Sequence, residues 1–255
     1  MLILKILAKP KYFILALIVV LCVQCLGCSF LTSPPPAYDS ITKITEENMP
    51  PRTRKVPYIV LNYNQPCFDN ISKAKSFVKF SSLDSQGRCG TATACIGPDD
   101  LANATGEEPN ETVFPAAWHD VEYDNLTNKT LYWRCYLISS RLIPKANVQE
   151  NILTGTWYLR ERSLIPLEQK VIDYIEQTGN HVLYRVTPFY EKGDLVSHGL
   201  EIEAASVEDK GAGLSIHVFS YNVQDGVDIN YKNGDSKRHR HNKDNYYLSL
   251  LKKKL

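Results

Sequence analysis

Apolar and polar residues follow two distinct periods in the C-terminal half of the chain. Between residues 164 and 177, apolar side chains recur at spacings of three and four, which predicts an amphipathic helix. Gly179 marks the end of this helix. Residues 181–190, 195–205 and 214–222 alternate apolar with polar positions, which predicts antiparallel strands. The pattern therefore predicts an α+β domain with a central antiparallel sheet.

Shorter segments predict further elements in the first half of the chain. Residues 57–66 are typical of a short strand followed by a turn, and residues 83–97 of a turn that leads into a strand. Residues 98–114 are polar, which predicts a surface loop. A further strand is predicted at residues 131–138.

The N-terminus differs from the rest of the chain because residues 12–32 are almost continuously apolar. About 20 apolar residues cross a bilayer as a helix, and the lysines that precede this segment favour a cytoplasmic N-terminus. An uncleaved membrane anchor is our first interpretation. A lipoprotein, suggested by Leu26-Gly27-Cys28, and a cleaved signal peptide are the alternatives. All three place the rest of the chain outside the cytoplasm, on the cell-surface or extracellular side.

The composition then divides the chain into four parts. Residues 1–32 are the anchor or signal segment, and residues 33–56 form a proline-rich linker. The folded domain is predicted at residues 57–236, followed by a basic tail at residues 237–255. This tail is either a solvated terminus or a contact for phosphate groups.

The overall charge does not indicate a nucleic-acid-binding protein. Lys and Arg number 29 against 28 Asp and Glu, so the net charge is +1. Any binding to nucleic acid would therefore need a local basic surface.

Four cysteines lie beyond the apolar segment: Cys67, Cys89, Cys95 and Cys135. In an exported domain they could form up to two disulfides, in three connectivities, or they could be buried free thiols. The Cys-x5-Cys spacing has no histidine pair near it, so it does not predict a zinc site. We expect no metal role for the cysteines.

Three motifs resemble those of a known family. Residues 131–138 read LYWRCYLI, residues 83–90 read LDSQGRCG, and residues 155–168 contain GTWYLR followed by LIPLE. They resemble Asn-Arg-Cys-His-Leu-Ile, Leu-Asp-x-Leu-Gly-Arg-Cys-Gly, and Gly-Thr-Arg-Tyr-Met-Asn with Met-Leu-Pro-Phe-Glu. These patterns typify the streptodornase-like branch of the DNA/RNA non-specific endonucleases. The resemblance implies a ββα-metal (His-Me finger) nuclease fold, with flanking helices, over residues 57–236.

The resemblance also implies roles for individual positions. In the family, the histidine is the general base and the asparagine is a ligand of Mg²⁺, which a glutamate further along the helix supports. Here Tyr136 stands at the base position, Arg160 at the asparagine position and Trp157 at the position of the family's arginine, whereas Glu168 is retained. The family implies Mg²⁺-dependent hydrolysis of DNA or RNA. The substitutions predict that this chain is impaired or inactive.

Two alternatives to a disabled nuclease remain open. His119 is a candidate substitute base, although we expect a structural role for it. A binding module without a metal would use Arg134, Trp157 and Arg185, together with Arg160, to hold nucleic-acid phosphate. We expect His181 to hydrogen-bond locally. We expect His198 and His217 to be exposed.

Overall fold

The computed structural model describes residues 37–38, 41–69 and 75–239. The predicted membrane segment at residues 12–32 and residues 240–255 of the predicted basic tail lie outside these ranges. Within them, no helix combines the length and apolar character that crossing a bilayer requires.

The described ranges contain eleven strands and three α-helices. The strands are β1 (Ala37–Tyr38), β2 (Tyr58–Leu61), β3 (Phe77–Phe80), β4 (Ala92–Ile96), β5 (Tyr132–Tyr136), β6 (Ile152–Thr156), β7 (Val182–Phe189), β8 (Gly199–Ser206), β9 (Ser215–Tyr221), β10 (Val227–Ile229) and β11 (Ser236–Arg238). The helices are α1 (Pro98–Ala102), α2 (Trp157–Leu159) and α3 (Ile165–Thr178), and a π-helical turn, Arg160–Leu164, joins α2 to α3.

Seven of the described strands form one sheet in the order β1-β2-β9-β8-β7-β4-β3. The β1–β2 pair is parallel, and the other neighbouring pairs are antiparallel. The hairpins β5–β6 and β10–β11 lie outside this sheet. The predicted α+β fold with a central antiparallel sheet is confirmed.

The two faces of the sheet carry different side chains. Along β7, the buried Tyr184 and Val186 belong to the main apolar core, into which α3 packs Leu167 and Val171. Side chains alternate between the faces of a strand, so Arg185 points to the opposite face. That face carries buried charged groups, Glu201 and Glu203 among them, and a smaller apolar cluster around Phe219. The helix face holds the main core.

The hairpin β5–β6 and the helix that follows it form a ββα unit. Tyr136 pairs with Ile152, and Tyr132 pairs with Thr156. The chain passes from β6 directly into α2, where the Thr156 hydroxyl accepts a hydrogen bond from the Leu159 N–H at 3.0 Å. A threonine at this position satisfies one of the free N–H groups that every helix start presents.

The helical segment begins seven residues earlier than the periodicity predicts, at Trp157 rather than at residue 164. The apolar spacing begins only at Leu164 because the π-helical turn before it carries polar residues. In that turn the Ile165 N–H bonds to the Arg160 carbonyl, five residues back. Pro166 follows, and it has no N–H to donate to the preceding turn. The helix ends at Gly179, which has φ 71°, as predicted.

Several elements differ from the sequence-based expectation. The predicted loop at residues 98–114 begins with the short helix α1, where Pro98 is suited to a helix start. Strands β3 and β6 were not predicted. β6 is buried at every position, so it lacks the alternation of polar and apolar residues by which a half-buried strand is predicted.

The predicted exposure of two histidines was wrong. His198 is 2% exposed and His217 is not exposed at all. Both are buried because carboxylates are buried with them: His198 Nε2 lies 2.6 Å from Asp194 Oδ2, and His217 Nε2 lies 2.8 Å from Glu201 Oε1. His181 was expected to pack or hydrogen-bond locally, whereas its Nδ1 lies 2.7 Å from Oε1 of Glu208, 27 residues further along the chain.

Part of the predicted linker contacts the folded domain. Ile44 is buried in a second apolar cluster that includes Ile59 and Phe219. The Arg54 guanidinium donates to the carbonyls of Gln224 at 3.1 Å and Val227 at 2.8 Å. Residues 41–56 therefore lie along the domain where the structure describes them.

Of the two alternatives for the cysteines, the structure has free thiols. Cys89, Cys95 and Cys135 are buried, Cys67 is exposed, and none of the four is in a disulfide. Burial raises the pKa of the Cys89 thiol to about 12 and that of Cys95 to about 11. Both thiols are therefore neutral near pH 7.

Candidate functional site

The ββα unit brings the three principal predicted positions together. Tyr136 ends β5, Arg160 opens the π-helical turn, and Glu168 lies in the first turn of α3. All three line one cavity of about 50 Å³, which the segment Gly106–Pro109 also borders. A water molecule needs at least about 10–15 Å³ of such volume. The cavity therefore has room for a few water molecules or one small group.

A buried asparagine fixes the end of β5 beside this cavity. Asn151 Oδ1 accepts from the Ile138 N–H at 2.9 Å, and its Nδ2 donates to the carbonyls of Ile138 and Ala146, each at 2.8 Å. The side chain is fully buried. Asn151 thus ties together the connection between β5 and β6, which holds the end of β5 and Tyr136 in place.

The Tyr136 hydroxyl is buried without a hydrogen-bond partner among the described residues. Burial, together with the negative charges of Glu108 and Glu107, raises the pKa of Tyr136 to about 12. About one molecule in 10⁵ would carry the phenolate at pH 7. Tyr136 is therefore a neutral phenol and not a base.

The Arg160 guanidinium lies between two carboxylates. Nη2 bonds Glu108 Oε1, Nη1 bonds Glu161 Oε1, and Cζ lies 5.1 Å from the centre of the Trp133 ring. The Glu108 side chain is 65% exposed, whereas that of Arg160 is 21% exposed. Arg160 is consequently fixed in place, and Glu108 is the partner that solvent ions can most easily replace.

Glu168 is a buried carboxyl beside two arginines. Burial raises its pKa to about 7, although the positive charges of Arg141 and Arg160 and a hydrogen bond with Ser139 oppose the rise. The Arg141 guanidinium itself bonds Gln169 Oε1. Glu168 is therefore about half protonated at neutral pH.

The structure places the other candidate residues around or away from this cavity. Arg134 lines it, but its Nε donates to the Val113 carbonyl at 2.6 Å and its Cζ lies 4.0 Å from the centre of the Trp118 ring. Trp157 is half-buried at the start of α2. Arg134 therefore borders the cavity with its guanidinium already bonded, and Trp157 is not among the residues that line it.

Two candidates lie elsewhere. His119 Nε2 is 2.8 Å from the Asn233 carbonyl, at the Tyr132 end of β5, where the Tyr132 hydroxyl bonds Gly234. Arg185 donates to Glu203 at 2.6 Å on the polar face of the sheet. The structure does not bring either residue to the Tyr136 cavity.

Sequence reasoning missed Glu108 and Arg141. Glu108 lies in a polar segment whose composition predicts only a surface loop, and Arg141 follows β5 without a recognisable motif. Only the fold brings them to the cavity, so no signal in a single sequence identifies them.

One family model matches the chain. It is that of the DNA/RNA non-specific endonucleases, and it matches residues 69–208, more than half of the 255 residues. The match includes β5, β6 and the helix that carries Arg160 and Glu168. No curated protein matches the chain.

Solved nuclease structures share the fold. The structure of NucA from Streptococcus agalactiae with magnesium bound has a TM-score of 0.62 and 24% identity, and covers 71% of this chain and 87% of that chain. The same nuclease without metal has a TM-score of 0.61 and 24% identity, over 72% and 91%. The Sda1 nuclease with bound zinc has a TM-score of 0.54 and 24% identity, over 64% and 81%. The predicted ββα-metal nuclease fold is confirmed.

Proposed function

Because this chain belongs to the DNA/RNA non-specific endonuclease family, we propose that it binds nucleic-acid phosphate on a nuclease scaffold whose hydrolytic site is impaired or inactive. The observation that carries this proposal is the Arg160 guanidinium, which lies between Glu108 and Glu161 beside the end of β5. A fixed cation thus stands where the family would hold a metal ligand.

The lack of a base at position 136 supports impairment. Phosphodiester hydrolysis needs a group that removes a proton from water, and losing such a base costs a factor of about 10²–10⁴. Tyr136, with its pKa raised to about 12, does not accept a proton at neutral pH. His119 bonds to Asn233 instead of lining the cavity, so we assign it a structural role.

The family implies a divalent metal, but the residues at this cavity do not fit one. Two unit charges about 4 Å apart repel by about 4 kcal/mol at an effective dielectric near 20, and a dication beside Arg160 would feel about twice that. Of the nearby carboxylates, Glu108 and Glu161 already bond Arg160, and Glu168 has a pKa near 7. We therefore derive no hydrolytic step through Mg²⁺.

The same arrangement suits an anion. Arginine binds phosphate through planar, paired N–H donors, and the exposed Glu108 carboxylate is the group that a phosphate oxygen would replace. Arg134 and Arg141 add positive charge to the cavity. Trp157, half-buried at the start of α2, would stack against a base outside the cavity. Arg185 is excluded from this surface, because its guanidinium bonds Glu203 on the other face of the sheet.

Nucleic-acid binding should respond in opposite directions to two substitutions at this ion pair. We expect Arg160→Ala to weaken binding of single-stranded DNA or RNA and to reduce the slope of log K against log salt by about 1, because one phosphate contact is lost. Glu108→Gln should strengthen binding, because the side chain that competes with phosphate for the Arg160 guanidinium loses its negative charge. Fluorescence anisotropy over a salt series measures both.

Arg162→Ala is the matched control for these substitutions. Arg162 is exposed two residues further along the same turn, so its loss changes the net charge equally without touching the cavity. Native binding should be unaffected by EDTA. Binding that requires Mg²⁺, or equal effects of Arg160→Ala and Arg162→Ala, would contradict metal-free binding at Arg160 and favour an active enzyme.

We also propose that residues 1–32 tether the chain to a membrane with the nuclease-like domain on the extracytoplasmic side. The apolar segment preceded by lysines supports this proposal. Cell fractionation should recover the chain with membranes, and protease added to intact cells should degrade the domain. Recovery of the whole chain in the soluble cytosolic fraction would show that this location is wrong.

A further inference from the structure

Three different metal-binding side chains meet on the polar face of the sheet, away from the Tyr136 cavity. Cys67 follows the turn after β2, Glu203 lies on β8, and His217 lies opposite it on β9. Their ligand atoms all lie within 4.8 Å of one another. Glu203 is 3% exposed and His217 is fully buried, whereas Cys67 is exposed.

Each of these groups is held by a neighbour that would also orient it around an ion. The two nitrogens of His217 lie 2.8 Å from the Gln65 carbonyl and 2.8 Å from Glu201 Oε1. Whichever nitrogen binds a metal, the other keeps a hydrogen bond, as in most metal-ligating histidines.

The carboxylate is oriented in the same way. Glu203 Oε1 accepts from the Cys67 backbone N–H at 2.7 Å, and Oε2 accepts from Arg185 Nε at 2.6 Å. Each carboxylate oxygen has a second lone pair, so these bonds leave Glu203 able to bind an ion.

The cluster is open to solvent, and its potential ligands carry negative charge that favours a cation. Cys67 and Glu203 line an open cavity of about 750 Å³, which Asp69 also borders. With the thiol deprotonated, Cys67, Glu201 and Glu203 place three negative charges at the cluster itself, where Arg185 bonds Glu203. The wider cavity is also lined by Lys43, Lys79 and Asp69. The potential ligands themselves therefore present negative charge to a cation.

We propose that Cys67, Glu203 and His217 form a binding site for a zinc-type divalent cation. Thiolate, imidazole and carboxylate are the ligands that zinc uses in proteins, with bonds of about 2.0–2.3 Å. A tetrahedron with such bonds places its ligand atoms about 3.3–3.7 Å apart. Because the three ligand atoms already lie within 4.8 Å of one another, they need to close by at most about 1.5 Å. A water molecule from the open cavity would complete the tetrahedron.

Cobalt reports directly on the predicted thiolate ligand. We expect the purified full-length chain, kept reduced, to bind one Co²⁺ with a sulfur-to-cobalt charge-transfer band in the near ultraviolet, and Zn²⁺ to displace it. Cys67→Ala should abolish the band. Because Cys67 is exposed, we expect this variant to fold like the native chain. Glu201→Gln, which leaves the three ligands intact, should weaken binding about 10–100-fold, because the histidine loses its carboxylate partner.

A second group of potential ligands on the chain provides the matched control. Glu191, Asp194 and His198 also have ligand atoms within 4.8 Å of one another, and Glu191→Gln should leave the cobalt band unchanged. The proposal would be overturned by a chain that gives no band, by a band that persists in Cys67→Ala, or by binding that only Glu191→Gln removes.

Discussion

Tyr136→His and Arg160→Asn together should give this chain Mg²⁺-dependent cleavage of plasmid DNA, at a rate at least about 10²-fold above that of the native chain. The estimate follows from the contribution of a general base, which is about 10²–10⁴. Each single substitution should do far less, because a base and a metal site that act in one step are not additive. Gel assays with Mg²⁺ or Mn²⁺ measure the rates.

The surroundings of the two positions favour this repair. Asn151 holds the end of β5 through three hydrogen bonds, so a histidine at position 136 starts from a fixed backbone. Removing the Arg160 guanidinium releases Glu108 and Glu161, and it takes away the charge that repels a dication. Trp157→Arg is a third substitution to add, since the family has an arginine there.

The outcome of the repair discriminates between the functional alternatives. Glu168→Ala in the repaired chain should abolish the gained activity. Strong cleavage by the native chain, lost on His119→Ala or Glu168→Ala, would instead show a rewired active site. A repaired chain that folds but stays inactive would mean that the cavity has changed beyond these positions, and metal-free binding would be the better account.

The sequence predicts the fold because the fold depends on local patterns. The spacing of apolar residues identifies α3, and alternation identifies β7 and β9. The motifs around Tyr136 and Arg160 identify a ββα unit, whose hairpin and helix bring the two residues to one cavity. Strand β6, by contrast, is wholly buried, so it has no period that distinguishes it from other buried segments.

The charged partners were not predictable because they come from distant segments. Nothing in the sequence around Glu108 indicates that it bonds Arg160. His198 and His217 occupy alternating strands that suggest exposure, but each is buried with a carboxylate from the fold, Asp194 and Glu201 respectively. A buried histidine–carboxylate contact depends on both members, so neither histidine's environment follows from its own neighbours in sequence.

The buried Glu168 carboxyl should make the folded state lose stability as the pH rises. Its pKa is raised from 4.5 to about 7, chiefly by burial. Below pH 4.5 the carboxyl is protonated in both the folded and the unfolded chain, so it does not change the free energy of unfolding with pH. Between the two values the unfolded chain releases the proton while the folded chain retains it. The free energy of unfolding therefore falls over this range and levels off above it.

Glu168→Gln should remove this loss of stability, because glutamine does not titrate. A pKa rise from 4.5 to about 7 corresponds to about 3 kcal/mol, at 1.36 kcal/mol per pKa unit. We expect the variant to match the native chain near pH 4.5 and to exceed its free energy of unfolding by about 3 kcal/mol above pH 7. Urea unfolding at several pH values measures the difference in free energy of unfolding between the variant and the native chain. The titration of other groups cancels in this difference.

Glu176→Gln, at an exposed position of the same helix, should show no such gain. Parallel curves for the native chain and Glu168→Gln would mean that Glu168 is ionised in the folded state well below neutral pH.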